Sequence, residues 1–437
     1  MSRRWALVLW GLVPAVACGG GSDQRKPPPG ASGSAGTAGA QGSAGSGGAG
    51  ATGASGGGGG TGGTPDAGAT GGTGASGGSA GSGGSGGSSG DSTGGSGGSG
   101  ASDGGTPDFL TCPNPELITV AGADESGDVD GAGGPSGPAR FYEPKGMVAF
   151  GTTGLLVADS RNDKIRRVEV AVPALTVTVS TLEVTFNGTP AGFSGPDGVV
   201  TVLGTDVLIS DQYNQRIRRY SQGTITTLSG DGNEGLQNGQ GTGAQFHYPR
   251  GIALGQDRAL YIADNGNHAV RRMSETSEVM TVAGDGTRGF VNGALAEARF
   301  AFPNDVAVGP DGAIYVADGG NHAIRKIMGG MVSTLAGTGT SGFTDAAGDS
   351  ARFAAPEGVA VHPDGRVFVA DHDNQRIRLI NASGTVTTLT GSGPEATPSA
   401  VDGPPGTARL LGPRRVAITA VGLAITDGNR VRLLVCR

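Results

Sequence analysis

The stretch Val316–Arg325, which reads VADGGNHAIR, decides the fold because the chain spells this phrase six times. A strand that ends at the aspartate can turn there, since an Asp side chain bonds the backbone ahead of it. The Asn three residues later tolerates the left-handed conformation that would close the turn. We interpret the repeated aspartates as structural residues: Asp159, Asp211, Asp264, Asp318, Asp371 and Asp427. The arginines that close the phrases recur in every copy, which also favours a structural role: Arg166, Arg218, Arg271, Arg325, Arg378 and Arg432.

A second phrase, proline followed by any residue and usually glycine, precedes each copy and sets a turn into an apolar strand. Its prolines are Pro144, Pro196, Pro249, Pro303, Pro356 and Pro413. Downstream of the first five copies comes a further strand, and the one at residues 332–337 leads into a glycine-rich loop. Each unit therefore offers four short strands in about 53 residues, which is typical of a β-propeller blade.

The P-x-G-[VI]-A and A-D-x-x-N-x-x-I-R phrases resemble the NHL-repeat family of six-bladed propellers, and the resemblance covers residues 113–437. It implies an all-β, six-bladed β-propeller with a binding or scaffolding role more often than a catalytic one. Two departures stand out. The first blade lacks the glycine loop after residues 178–184, and the sixth has a shortened turn.

The segment Gly284–Gly289, GDGTRG, spells the G-x-G-x-x-G of a dinucleotide-binding turn. Such a turn should open a helix, but Gly293 and Pro303 leave room for only a short helical turn. The spelling also recurs at residues 230–235 and 337–342, so it belongs to the repeat. We therefore interpret these glycines as tight turns between blades and expect no cofactor.

The N-terminal residues suggest that the protein is exported. Residues 1–18 carry two arginines, an apolar run and Cys18, which predicts a lipoprotein signal peptide with a lipobox-like cysteine. Ordinary signal cleavage next to a free cysteine is the alternative. Residues 19–106 are Gly/Ser-rich and predict a disordered linker, which leaves residues 107–437 for the propeller. We expect a lipid-anchored protein of the cell envelope, at the outer membrane or cell surface, that meets the membrane through its lipid only.

Positions of the repeat at which the residue differs from blade to blade are the candidates for a function specific to this protein. The residues after the prolines and those in the second turn should open on one face around the central channel. They predict a binding face formed by Lys145, Arg161, Asp197, Tyr213, Arg250, Asn304, Glu357, His372 and Arg414. The alternative is that they are solvated loop residues. The net charge of −7 disfavours nucleic acid, so we expect a monomer that binds a protein or glycan partner.

The competing function is that of a propeller hydrolase or lyase of the lactonase or amidating-lyase type, which would use a channel metal. The apolar runs that follow each second phrase, such as Val306-Ala-Val, carry no acid, His or Cys. The five histidines occupy repeat positions too far apart for one zinc ion. Residues 124–130 hold the one acidic cluster that could bind Ca²⁺, although a plain turn explains it as well. We predict no enzyme and no metal.

The last blade lacks an outer strand, because the chain stops soon after residues 430–435. Residues 116–122 match the outer strand of the other blades and should complete the ring from the N-terminal side, which removes the exposed edges. Cys112 and Cys436 then meet where other blades have a hairpin turn, and this position predicts a disulfide in an exported protein. Two free thiols are the alternative.

Overall fold

The computed structural model describes residues 111–171, 176–186, 188–190, 192–202, 206–394 and 399–436. The predicted signal peptide, Cys18 and the linker lie outside the described residues. The described chain forms six sheets whose main strands are antiparallel and whose first strands neighbour one another in a closed ring. This arrangement confirms the predicted six-bladed β-propeller. Within the described residues, no helix is both long and apolar enough to cross a membrane.

The first three blades contain four main strands each, which run from the channel outwards. Blade one consists of Pro144–Phe150, Gly154–Asp159, Lys164–Ala171 and Thr176–Thr181. Blade two consists of Pro196–Thr201, Val207–Asp211, Arg216–Ser221 and Thr224–Ser229. Blade three consists of Pro249–Leu254, Leu260–Asp264, Ala269–Met273 and Glu278–Ala283.

The other three blades repeat the pattern. Blade four consists of Pro303–Val308, Ile314–Asp318, Ala323–Met328 and Met331–Ala336. Blade five consists of Pro356–Val361, Val367–Asp371, Arg376–Ile380 and Val386–Thr390. Blade six consists of Pro413–Thr419, Gly422–Asp427, Arg430–Cys436 and the N-terminal strand Pro115–Gly122. Two-residue strands extend the outer edges of blades one to four: Gly131–Ala132, Thr185–Phe186, Thr189–Pro190, Gly239–Gln240 and Gly293–Ala294.

Apolar side chains fill the space between neighbouring blades. The second strand of each blade is buried along almost its whole length, because adjacent blades cover both of its faces. A large apolar residue three positions before each of the six prolines completes the packing and is shielded from solvent: Phe141, Phe193, Phe246, Phe300, Phe353 and Leu410. For example, Phe353 packs with Tyr315 of blade four and Val367 of blade five.

Between the second and third strands, blades one to four have a single 3₁₀ turn: Ser160–Asn162, Gln212–Asn214, Asn265–Asn267 and Gly319–Asn321. Two further 3₁₀ turns, Gly241–Gly243 and Gly348–Ser350, lie in the connecting loops. The prediction that the repeated asparagine is left-handed was wrong. The left-handed residue is the next one along the chain, for example His322 with φ of 51°. The asparagine serves through its amide instead, since Asn321 Nδ2 donates to Asp318 Oδ2 at 2.8 Å.

The repeated Asp and Arg residues form buried pairs, as their recurrence suggested. In blade four, Asp318 Oδ1 accepts from the Ala301 backbone N–H at 2.7 Å, and Oδ2 accepts from Arg325 Nη1 at 2.8 Å. The Arg325 guanidinium is fully buried and lies 5.2 Å from the centre of the Phe300 ring. Most of the other donors and acceptors of this buried pair are satisfied, which makes the buried charges tolerable, although Arg325 Nε has no hydrogen-bond partner among the described residues.

The ring closes in the predicted way. Pro115–Gly122 pairs antiparallel with Arg430–Cys436, so the N-terminal strand is the outer strand of blade six. The disulfide between Cys112 and Cys436 is present, with 5.6 Å between the two Cα atoms. It covalently joins the two ends of the propeller, which are 324 residues apart in sequence.

Candidate functional site

The residues after the six prolines converge at one end of the central channel. Each proline begins the innermost strand of its blade, so the next residue lies at the channel mouth. Two further residues join them, and together they form what we call the charged cluster: Lys145, Asp197, Arg250, Asn304, Asp305, Glu357, Arg414 and Arg415. Most of these side chains contact each other instead of solvent.

Asp197 is the centre of the charged cluster and is fully buried. Its Oδ2 atom accepts from Lys145 Nζ at 3.1 Å and from Arg250 Nε at 2.9 Å, and its Oδ1 atom accepts from Arg415 Nη2. Burial alone would raise the pKa of Asp197, but the charges of Arg415, Lys145 and Arg250 hold it well below its usual value. The carboxylate is therefore a permanent anion shared by three blades besides its own.

Arg415 crosses the channel mouth from blade six. Its Nη2 atom reaches Asp197 of blade two and also donates to the Asn304 carbonyl of blade four at 3.0 Å. Its Nη1 atom donates to the Glu357 carbonyl of blade five. One side chain thus connects four blades across the axis of the ring.

The channel beyond the charged cluster is apolar and holds about 400 Å³. Its wall is formed by inner-strand residues such as Met147, Val199, Ile252 and Val306, whereas Asp305 and Arg415 lie at its charged end. Burial raises the pKa of Asp305 to about 6, because its closest cation, Arg415 Nε, stays 3.6 Å from Oδ2. Burial also lowers the pKa of Lys145 to about 8, despite the nearby Asp197 carboxylate.

Asp305 and Arg415 were not among the predicted site residues, although the sequence carries a signal for both. They replace the glycine of the P-x-G phrase in blades four and six. In blades two and five this position needs glycine: a Cβ on Gly198 would lie 2.6 Å from the Arg250 carbonyl oxygen, and one on Gly358 would lie 2.6 Å from that of Arg414. A charged residue in place of this glycine was therefore the signal for an unusual contact. Asp305 also corrects the expectation that the inner strands carry no acid.

We expect Asp305→Asn to stabilise the protein at neutral pH. A carboxyl whose folded-state pKa is raised from 3.8 to about 6 stabilises the fold fully below pH 3.8, and this contribution is lost as the pH rises through 6. The variant should therefore exceed the wild type in free energy of unfolding by about 2–3 kcal/mol at pH 8, and the gain should shrink towards pH 4.

Urea unfolding at a series of pH values measures this difference. The exposed Asp349→Asn is the matched control and should give a profile parallel to that of the wild type. A gain for Asp305→Asn that is the same at pH 4 and pH 8 would contradict the assignment.

The nine predicted binding-face residues separate into buried and accessible groups. Lys145, Asp197 and Asn304 are buried, and the side chains of Arg250, Glu357 and Arg414 are 12%, 14% and 18% exposed. The accessible members belong to the second turn: Arg161, Tyr213 and, partly, His372. The first group can position a contact surface, and the second can touch a ligand.

Aromatic side chains that the sequence analysis overlooked border the charged cluster. We call Tyr142, Tyr213, Tyr248 and Phe302 the aromatic rim. Tyr142, Tyr213 and Phe302 are 40%, 48% and 41% exposed, and the rings of Tyr213 and Tyr248 meet edge to face at 5.9 Å. Except for Tyr213, these residues occupy the one or two positions before a proline, which was the signal available in the sequence.

The rim is held in place by bonds between neighbouring blades. Tyr248 and Phe302 have φ of 53° and 50°, a conformation that bulky residues adopt only when their surroundings impose it. Their backbone N–H groups donate to side chains of the preceding blade, to Gln215 Oε1 at 2.6 Å and to His268 Nδ1 at 3.2 Å. The rim is therefore rigid, and its ring positions are set before any ligand arrives.

The acidic segment proposed as a possible Ca²⁺ site uses its carboxylates for ion pairs. Asp124 contacts Arg430, Asp128 contacts Lys164 at 2.5 Å, and Asp130 contacts Arg166 at 2.6 Å. Among the residues that the structure describes, no three His, Cys, Asp or Glu side chains are grouped so that they could hold a metal ion.

Comparison with known proteins identifies the repeat. The model of the NHL repeat matches residues 246–273, 300–327 and 353–378, which run from the apolar residue before the proline turn into the third strand of blades three, four and five. The chain is 30% identical over 288 residues to Protein SUPPRESSOR OF QUENCHING 1, chloroplastic, of Arabidopsis thaliana, covering 61% of this chain and 27% of that protein.

NHL repeat-containing protein 2 of Gallus gallus is 30% identical over 215 residues, which cover 42% of this chain and 29% of that protein. The chain thus spans less than a third of the length of these curated relatives. Two solved structures from Bacteroides thetaiotaomicron VPI-5482 share the fold. One is a protein of unknown function, with a TM-score of 0.57, 20% identity and coverage of 74% of this chain and 76% of that one. The other is an auxiliary nutrient binding protein, with a TM-score of 0.55, 16% identity and coverage of 73% and 76%.

Proposed function

Because this chain is an NHL-repeat β-propeller of six blades, we propose that it is a binding protein that captures a protein or glycan partner on the face bearing the aromatic rim. The observation that carries the proposal is the set of exposed rings, Tyr142, Tyr213 and Phe302, arranged around a cluster of buried charges. Tyrosine and arginine dominate binding energies at interfaces, because they combine a large contact area with polar groups.

Two arginines next to the aromatic rim add positive charge to this surface. Arg161 lies 6.0 Å from the centre of the Tyr142 ring and donates to Glu143 Oε2 at 3.0 Å. Arg288 lies 5.2 Å from the centre of the Phe302 ring. Aromatic rings placed beside arginine side chains suit a ligand that has both apolar surface and hydrogen-bonding groups.

The buried charged cluster supports the same proposal through rigidity. Its members are paired across the channel, so the rim above it does not need to be ordered when a ligand binds. A preorganised surface binds more tightly than a mobile one, since less conformational entropy is lost. The auxiliary nutrient binding protein from Bacteroides, which has the same fold, is in keeping with a binding role.

We further propose that the propeller acts in the cell envelope, held by lipid on Cys18 and separated from the membrane by residues 19–106. Mass spectrometry of the mature N-terminus tests this, because an unmodified terminus at another residue would contradict it.

Substitutions on the rim should weaken capture of the partner. We expect Tyr213→Ala and Arg161→Glu each to reduce affinity by roughly tenfold or more, the usual effect of removing an interface Tyr or Arg. The full chain is immobilised, incubated with envelope extract and with a panel of soluble glycans, and the retained ligand is titrated against each variant.

Arg258→Glu is the matched control for these variants. Arg258 is also an exposed arginine in an ion pair, but it lies in the turn between the first and second strands of blade three, at the opposite end of the propeller. Its reversal should leave the affinity unchanged. Equal losses for Arg161→Glu and Arg258→Glu would rule out the proposed face.

A further inference from the structure

In five of the six blades, a side chain at the end of the turn between the second and third strands accepts a hydrogen bond from the next blade. The donor is the backbone N–H of the residue that precedes the proline of that blade. In blade three, His268 Nδ1 accepts from the Phe302 N–H at 3.2 Å. We call this contact the interblade bond. The other four interblade bonds run from Gly195 to Asp163, from Tyr248 to Gln215, from Ala355 to His322 and from Glu143 to Asn429, at 2.6–3.0 Å.

The interblade bond holds its donor residue in a costly backbone conformation. Glu143, Tyr248, Phe302 and Ala355 have φ of 48–53°. Residues other than glycine keep this left-handed conformation only where their surroundings impose it. For Phe302, the imposed conformation places on the aromatic rim a ring that is 41% exposed. The interblade bond of blade three therefore helps to set the position of a ligand-contacting side chain.

The acceptors of the five interblade bonds differ in how they respond to pH. Gln215 and Asn429 supply amide oxygens, which do not titrate. His268 and His322 supply Nδ1, which accepts a hydrogen bond only in the neutral imidazole that carries its proton on Nε2. A protonated imidazole has an N–H on both nitrogens and cannot accept. Protonation therefore breaks the interblade bonds of blades three and four.

Of these two histidines, only His268 holds a residue of the aromatic rim. Its imidazole accepts from the Phe302 backbone and also meets the Phe302 ring edge to face, with 4.6 Å between the ring centres. His322 holds Ala355, whose side chain is a single methyl group. The backbone and the ring of Phe302 thus depend on one titratable side chain.

The groups around His268 favour its neutral form. Burial, the Arg288 charge and His247 hold the pKa of His268 below its usual value of 6.5, and a hydrogen bond with the Asn265 backbone opposes them. Arg288 also lies 5.2 Å from the centre of the Phe302 ring, and His247 is itself paired with Glu234 at 3.4 Å. A protonated His268 would therefore add a second cation beside Arg288 and lose its bond to Phe302 at the same time.

We propose that His268 is a positioning residue that makes the aromatic rim sensitive to pH: its protonation releases Phe302 from the interblade bond, and the captured partner then dissociates. This inference rests on the binding function proposed for the rim and adds its regulation. Because the folded-state pKa of His268 is lowered, its neutral form stabilises the fold above pH 6.5, and this contribution is lost as the pH falls through the folded-state value. The rim is therefore fully formed at neutral pH and loosened in acid.

His268→Gln is the decisive variant, because the chain already uses glutamine at this position of the repeat. Gln215 has φ of 54°, against 53° for His268, and its amide oxygen accepts the interblade bond of blade two. The variant should keep the bond to Phe302 at every pH. His322→Gln is the matched control, since it removes an equivalent histidine but leaves His268 in place.

The Phe302 amide reports the interblade bond without any partner. In full-length protein labelled with ¹⁵N-phenylalanine, its NMR signal is identified by its absence from Phe302→Tyr. Between pH 8 and pH 5, the wild-type signal should shift with a midpoint below 6.5, and its order parameter should fall below about 0.85, the value of a rigid backbone. Neither should change in His268→Gln, whereas His322→Gln should behave as the wild type. A wild-type signal that does not titrate, or one that titrates equally in His268→Gln, overturns the proposal.

Release of the partner is measured separately. The immobilised full chain is loaded with envelope extract or with the glycan panel at pH 8, and the retained component is titrated at pH 8 and at pH 5. Wild-type affinity should fall by about fivefold more than that of His268→Gln, the effect of one lost hydrogen bond. The comparison between variants is needed because Asp305, whose pKa is about 6, titrates in the same range.

The two measurements separate this inference from the function on which it rests. An equal loss of affinity in the wild type and in His268→Gln would refute the regulatory role, even if the Phe302 amide titrates. Retention of nothing at pH 8 would refute the binding function and with it the release step, whereas the amide signal would still decide whether His268 positions Phe302.

Discussion

Replacing Asp197 by alanine should destabilise the propeller more than any other single change in the charged cluster. The substitution leaves Lys145, Arg250 and Arg415 without the carboxylate that all three contact. Removing one partner of a buried ion pair typically lowers the free energy of unfolding by 3–5 kcal/mol, and here several pairs are broken at once. We expect a loss of at least about 4 kcal/mol in urea unfolding at pH 7.

Asp206→Ala is the matched control in the same blade. Asp206 forms an ion pair with Arg219, whose side chain is 47% exposed, and such pairs contribute less than about 1 kcal/mol. Combining Asp197→Ala with Arg415→Met should recover part of the lost stability, because it removes one of the unpaired cations. The structural role of Asp197 would be refuted if the two alanine variants unfolded at the same urea concentration.

Breaking the Cys112–Cys436 disulfide should have the next largest effect. The bond joins the N-terminal strand Pro115–Gly122 to the last strand of the chain and encloses the whole propeller in one covalent loop. A loop of this size restricts the unfolded chain strongly, so its removal should lower the free energy of unfolding by about 2–5 kcal/mol. The double variant Cys112→Ser/Cys436→Ser should therefore unfold at a lower urea concentration than the oxidised wild type.

Reduced wild-type protein is the control for this variant, and the two should unfold together. Hydrogen exchange should also show that the amides of Pro115–Gly122 lose protection first, since this strand depends on the bond for its attachment. Identical midpoints for the oxidised and reduced wild type would contradict the role of the disulfide.

The candidate site was only partly predictable from the sequence. The variable positions after the prolines were expected at one end of the channel, and the structure brings them together there, because the repeat places them at equivalent points of every blade. Whether each of these side chains is buried or exposed was not predictable. Asp197 and Tyr213 belong to the same predicted face, yet the first is fully buried and the second is 48% exposed. Burial depends on which side chains approach from other blades, and a repeat phrase does not contain that information.

The sequence by itself determined the strands, the number of blades, the structural role of the repeated Asp and Arg residues, and the closure of the ring by the N-terminal strand. These features depend on local turn chemistry and on a period repeated six times, and both are written along the chain. Only the tertiary structure decided that Arg415 crosses the channel to Asp197, 218 residues away, and that Asp305 is buried beside them. The physical reason is that charges so distant in sequence meet only when the ring closes, and their burial and pairing exist only in the closed ring.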